Sequence, residues 1–119
     1  MYDPRELAAV FAGGVAGAIA RAGVAEALPA APGQWPWATF LVNVAGAFVL
    51  GLVIARGVRA YRRELLGAGF CGALTTFSTL QLELLGMLDA GRVALALAYA
   101  LASIAAGLAA AALAGRATV

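Results

Sequence analysis

Residues 69–79 read Gly69-Phe70-Cys71-Gly72-Ala73-Leu74-Thr75-Thr76-Phe77-Ser78-Thr79, a run of glycines and hydroxyls inside an otherwise apolar, helix-length segment. Glycine weakens a helix, and Ser/Thr hydroxyls offer the backbone competing hydrogen-bond partners, so a break is expected near residues 72–76. Two kinds of chemistry are open to such a break. Unwound carbonyls around Gly72 and Thr75 would suit a small hard cation. Phe77 either packs conventionally or presents its electropositive ring edge to an anion.

Further polar groups stand in apolar surroundings. Asn43 carries two amide donors and an acceptor, and serves either as interhelical glue or as an anion-facing donor. Arg21 follows a long apolar run; it either snorkels to the interface or gives a water-filled vestibule a positive potential. Glu83 is either an interfacial acid or the partner of hydroxyls near the break, since intramembrane acids are expected to find partners. Tyr99 and Ser103, spaced i, i+4, share a helix face that Gly107 continues, so they form a polar track or simply local packing.

The elements that must position these groups are membrane helices. The chain is 64% hydrophobic and 12% charged, against about 25% charged in soluble domains. A hydrocarbon core of about 30 Å needs about 20 apolar residues per helix. Apolar runs at Leu7–Leu28, Trp37–Ala55, Leu65–Leu88 and Val93–Ala114 meet that length. With flanking residues they predict helices at about 4–28, 37–57, 64–88 (broken near 72–76) and 92–115. The fold expected is a single four-helix membrane domain over residues 1–119, all-α, with the third helix broken near mid-membrane.

The punctuation agrees with these spans. All four prolines fall outside helix interiors, and Asp3-Pro4 with Glu6 reads as an N-cap, a proline at N1 and a capping-box acid. Trp35 and Trp37 suit the headgroup belt. Gly13, Gly14 and Gly17, with Gly46, Ala47 and Gly51, form small-residue stripes for close helix packing. A cleaved signal peptide is disfavoured, because Arg21 and Glu26 stand where a cleavage region should be small and neutral. With no His and one Cys, neither a disulfide framework nor an ordinary zinc site is expected. No nucleophile–base pair is visible, so an enzyme is not expected, and the modest +2 charge does not suggest nucleic acid.

Three sequences together go beyond generic physics. Gly13-Gly14-Val15-Ala16-Gly17-Ala18-Ile19-Ala20-Arg21, Thr39-Phe40-Leu41-Val42-Asn43-Val44-Ala45-Gly46-Ala47-Phe48, and residues 69–79 with Glu83 resemble the CrcB/Fluc fluoride-channel family. The resemblance implies a passive fluoride-selective channel that lets cytoplasmic fluoride leave a bacterial cell through the plasma membrane. It implies an antiparallel, dual-topology-type dimer with two pores, and a structural Na⁺ at the dimer two-fold axis held by the Gly72 and Thr75 carbonyls. Asn43, Phe77, Ser78, Thr79, Tyr99 and Ser103 would line the fluoride path, Arg21 would face the vestibule, and Glu83 would be a pore-associated acid. Fluoride is small and strongly hydrated, so donors must replace its water without trapping it.

Two features depart from the family pattern. Members commonly carry a second Phe three residues after the first; here Leu80 holds that position and has no ring to offer. With both termini cytoplasmic, Arg5, Arg56, Arg59, Arg62, Arg63 and Arg116 lie inside, against Arg92 and, depending on its reach, Arg21 outside. That asymmetry favours one orientation, whereas a dual-topology homodimer needs near balance. Both features point to an oppositely oriented homologous subunit as partner, with the homodimer as the alternative. Two rival classes are a small multidrug-type antiparallel transporter and a non-conducting membrane assembly subunit. The first needs a coupled carboxylate deep in a helix amid aromatics, and no aromatic cage is evident around Glu83. The second needs only the small-residue stripes.

Overall fold

In the computed structural model, which describes residues 3–117, four helical spans cross the length of the molecule in an arrangement of 48 × 30 × 27 Å. Helix α1 covers Pro4–Ala27 and α2 covers Trp37–Ala55. The third span divides into α3 (residues 61–74) and α4 (Ser78–Asp89), and α5 covers Val93–Arg116. At a rise of about 1.5 Å per residue, α2 is about 28 Å long and α1 and α5 about 36 Å, which matches a bilayer core. Among the described residues there are no strands. The chain is therefore an all-helical, multi-pass membrane protein with an interrupted third span. The terminal residues of the 1–119 unit, 1–2 and 118–119, lie outside the described residues.

Local signals account for the helix ends. Asp3 is extended and its carboxylate accepts from the Arg5 backbone N–H at 2.9 Å, while Pro4 occupies the first turn where its missing donor costs nothing. Helix α2 stops at Ala55, two residues short of the expected 57, where Gly57 turns with φ +60°. The α4–α5 connection turns at Gly91 with φ +76°, a left-handed conformation that side chains resist.

The third span differs from a simple broken helix in one respect. Upstream of the break, Glu64–Cys71 is wound as π-helix, wider than an α-helix. This is the stretch that lies against the glycines of α1. A Cβ on Gly13 would overlap the Leu65 carbonyl, and one on Gly17 would overlap the Phe70 carbonyl. One on Gly69 would stand 2.7 Å from the Val10 carbonyl oxygen. The two backbones therefore touch directly, and without Cβ atoms between them they gain dispersion contact that lipid cannot replace. On the other side, Gly51 lets α2 meet α5, its would-be Cβ lying 3.0 Å from the Ala111 carbonyl oxygen.

This packing predicts that Gly17→Ala destabilises the fold by about 1–3 kcal/mol, the usual range for overpacking. Gly23→Ala, where nothing stands within 4 Å, should be neutral or slightly stabilising. Thermal unfolding in detergent micelles distinguishes the two, and equal stabilities would contradict the backbone contact.

Candidate functional site: the break in the third span

The interruption falls at residues 75–77, at the trailing edge of the expected window, and Asn43 of α2 accounts for its position. The Asn43 Oδ1 accepts from the Thr76 backbone N–H at 2.8 Å, and its Nδ2 donates to the Thr76 carbonyl at 3.0 Å. One side-chain amide thus satisfies both backbone groups of a residue that has left the helix. Left unmatched, each such group would cost about 1–3 kcal/mol. The interhelical role of Asn43 is therefore real, and one Nδ2–H remains for another acceptor.

A second diversion follows three residues later. Thr76 Oγ1 accepts from the Thr79 backbone N–H at 3.2 Å and donates to Thr79 Oγ1 at 3.1 Å. It acts as the side-chain cap of α4, a task for which Ser and Thr are suited at helix starts. Ser78 Oγ lies 3.5 Å from the same hydroxyl.

The two diversions have a shared consequence. In an uninterrupted α-helix each N–H bonds the carbonyl four residues earlier. The Thr76 N–H would serve the Gly72 carbonyl, and the Thr79 N–H would serve the Thr75 carbonyl. Both donors are engaged elsewhere, by Asn43 and by Thr76. Gly72 is exposed on the surface of the chain, and an added Cβ there would meet nothing nearer than the Gly67 carbonyl at 3.9 Å. Thr75 is pinned on the inner side. Its hydroxyl donates to the Cys71 carbonyl at 2.9 Å, and its methyl fills the space that a Cβ on Gly46 would take.

Thr76 stands between two concavities. One, of about 530 Å³, is an apolar groove whose walls include Asn43, Gly72, Thr75, Phe77 and Leu80. The other, of about 360 Å³, brings Arg21 together with Thr39, Thr76 and Thr79. Arg21 is half-buried and lines the same concavity as these hydroxyls. The Phe77 side is open: the residue is 70% exposed, so any packing of its ring is against something outside this chain. Leu80 is half-buried and packs on the Met87–Ala96–Tyr99 cluster.

Glu83 is held from two sides. Thr39 Oγ1 donates to its Oε2 at 2.8 Å, and the Tyr99 hydroxyl donates to its Oε1 at 2.9 Å. Hydrogen bonds to a carboxylate are about twice as strong as neutral ones, which suits an acid at membrane depth. Tyr99 is wholly buried, and its ring meets Trp35 edge-on at 5.2 Å. Aromatics thus stand nearer to Glu83 than its sequence neighbours suggest, because they arrive from α5 and from the α1–α2 connection. Ser103 is also turned inward, its Oγ buried without a partner, so within one chain Tyr99 and Ser103 do not line an open surface. Thr39 and Thr76 are the residues that the sequence pattern undervalued. Their signals were Thr39 one helical turn before Asn43, and the Thr76-x-x-Thr79 spacing of a helix cap.

Comparison with known proteins agrees with this architecture. The family described as "CrcB-like protein, Camphor Resistance (CrcB)" matches residues 8–115. A protein named fluoride-specific ion channel FluC 1 from Mycolicibacterium paratuberculosis is 53% identical over 112 residues, covering 90% of this chain and 85% of that protein. The FluC 1 of Mycobacterium bovis is 51% identical with the same coverage. The FluC 2 of Nocardia farcinica is 39% identical over 112 residues, covering 90% of this chain and 80% of its own. A match that runs through all four spans and both sides of the break shows that the chain belongs to the CrcB-like family.

Proposed function

We infer that the protein is a fluoride-selective ion channel that lets cytoplasmic fluoride leave the cell passively. The observation that carries this reading is the braced break, where an amide and three hydroxyls meet at membrane depth beside Arg21, in a chain whose relatives are named fluoride-specific channels. Fluoride must exchange water for donors at short range. The free Nδ2–H of Asn43 and the hydroxyls of Ser78 and Thr79 are conventional donors, and the Phe77 ring edge adds weak stabilisation. Several weak sites in series favour entry without trapping the ion. Arg21 concentrates anions in the vestibule, and Tyr99, Ser103 and Glu83, enclosed within one chain, would back the path rather than open onto it.

The donor set at the break fits a structural Na⁺. Gly72 and Thr75 carbonyls deprived of their helical donors are hard oxygen ligands of the kind such a cation takes. Bound there, Na⁺ would tie together the broken spans of two subunits. The exposed groove around Gly72 and Phe77 is the face through which a second subunit would reach it. The partner is either a second copy in the opposite orientation or, as the arginine asymmetry and Leu80 favour, an oppositely oriented homologous subunit. The protein would then lie in the bacterial plasma membrane with both termini cytoplasmic.

Small multidrug-type transport is less well supported. It requires a carboxylate open to a large cation, and both oxygens of Glu83 are engaged by hydroxyls of its own chain. The function is tested with vesicles loaded with fluoride or with chloride. Fluoride efflux well above chloride efflux is expected, and equal rates would reject selectivity. The lone chain and the chain co-expressed with an oppositely oriented homologue are compared in the same assay. Full efflux from the lone chain would reject the need for that partner.

A further inference from the structure

The connection between α2 and α3 and the first turn of α3 carry Arg56, Arg59, Arg62 and Arg63 within eight residues of sequence, all exposed. Their partners differ. Arg63 is ion-paired with Glu64, its Nη2 at 3.0 Å and its Nε at 3.1 Å from the carboxylate. Arg56, Arg59 and Arg62 have no ion pair among the described residues. All three residues line one concavity of about 620 Å³, with Tyr61 and Leu66 also in its walls. A second concavity adjoins it at Val58 and Arg59 and runs along Ile54, which is 72% exposed on the lipid-facing end of α2.

The loop that presents these residues has a defined shape. Ala60 holds φ 55°, ψ −140°, a conformation that non-glycine residues adopt only when their surroundings impose it. Like-charged guanidiniums so placed repel one another unless an anion lies between them.

We propose that this loop is a binding site for the phosphate headgroup of an anionic phospholipid, with Arg56, Arg59 and Arg62 holding the phosphate and the Ile54 side taking the acyl chain. Charge complementarity supplies the first half of the argument. Guanidiniums bind phosphate oxygens in bidentate fashion, and basic pockets at the ends of membrane helices suit lipid headgroups. The position supplies the second half. The pocket sits where two spans leave the bilayer, and its extension joins Arg59 and Arg63 to an apolar wall of Val53, Ile54 and Val58, which an acyl chain can cover and free inorganic phosphate cannot. The proposal is independent of fluoride conduction.

The test is native mass spectrometry of the full chain extracted from vesicles of mixed phosphatidylglycerol and phosphatidylcholine. The wild-type protein should retain phosphatidylglycerol in preference. Combined Arg56→Gln, Arg59→Gln and Arg62→Gln should lower that preference on the order of tenfold. Combined Arg5→Gln, Arg92→Gln and Arg116→Gln removes the same charge elsewhere and should leave it nearly unchanged. Equal loss in both variants would mean a diffuse surface potential, and would overturn the site. Displacement of the lipid by millimolar inorganic phosphate would mean a free-anion site, and would overturn the lipid assignment. If the first variant does not insert, the wild-type melting temperature decides. It should rise with added phosphatidylglycerol and not with phosphatidylcholine; no difference between the lipids overturns the proposal.

Discussion

Asn43→Leu is expected to abolish fluoride efflux, a fall of about 100-fold or more, and to destabilise the fold by about 2–4 kcal/mol. Leucine keeps the branched heavy-atom skeleton of the side chain, although its methyls are bulkier than the amide oxygen and nitrogen. What disappears is the pair of hydrogen bonds to the Thr76 N–H and carbonyl. Each stranded group costs about 1–3 kcal/mol, and more where lipid excludes water. The chain can relieve part of that cost only by returning the Thr76 N–H to the Gly72 carbonyl, which closes the break. Asn43→Asp separates the two roles of the amide. It keeps an acceptor for the Thr76 N–H, but its carboxylate can donate to neither the Thr76 carbonyl nor an anion. It should therefore fold better than Asn43→Leu and still fail to conduct. Efflux from the aspartate variant at the wild-type rate would show that the amide donors play no part in conduction.

Thr76→Val is the second large effect. The substitution preserves shape and removes the hydroxyl that accepts from the Thr79 N–H and meets Thr79 Oγ1. Loss of a cap of this kind costs about 1 kcal/mol. The functional effect should exceed the stability effect, because the Thr79 N–H becomes free to rejoin the Thr75 carbonyl. One of the two proposed Na⁺ ligands is then withdrawn. Fluoride efflux should fall about tenfold or more, and the remaining activity should need higher Na⁺. Thr76→Ser keeps the hydroxyl and should retain most of the activity. Wild-type behaviour of the valine variant, with an unchanged Na⁺ requirement, would separate the cap from the cation site.

These two variants also show what could be read from the sequence and what could not. The four spans were legible because length and apolarity determine them, and the structure places them within a few residues of the expected bounds. That a break exists was legible in the Gly72 and Thr75–Thr76 chemistry. Its location at residues 75–77 was not, because it depends on Asn43, which lies 33 positions away on another helix. The π-wound stretch was illegible for a similar reason. Residues 64–71 carry no local signal for it, and it occurs where Gly13 and Gly17 bring α1 against their carbonyls. Glu83 was recognisable as an acid in need of partners, yet Thr39 and Tyr99 became its donors only through the juxtaposition of three helices. Phe77 and Leu80 share a helical face by spacing. Only the packed structure separates them, leaving Phe77 on the surface and turning Leu80 partly into the core.

With the Thr76 and Thr79 donors diverted, the Gly72 and Thr75 carbonyls are left without their helical partners, and the proposed Na⁺ site of the fluoride-conducting assembly depends on them. The most direct measurement is fluoride efflux from liposomes prepared and assayed either in Na⁺ or with Na⁺ replaced throughout by a large organic cation. The assembly used is whichever one conducts, the lone chain or the chain with its partner. Rapid fluoride efflux in Na⁺ and its collapse without Na⁺ are the predicted result. Equal fluoride efflux under both conditions would contradict it.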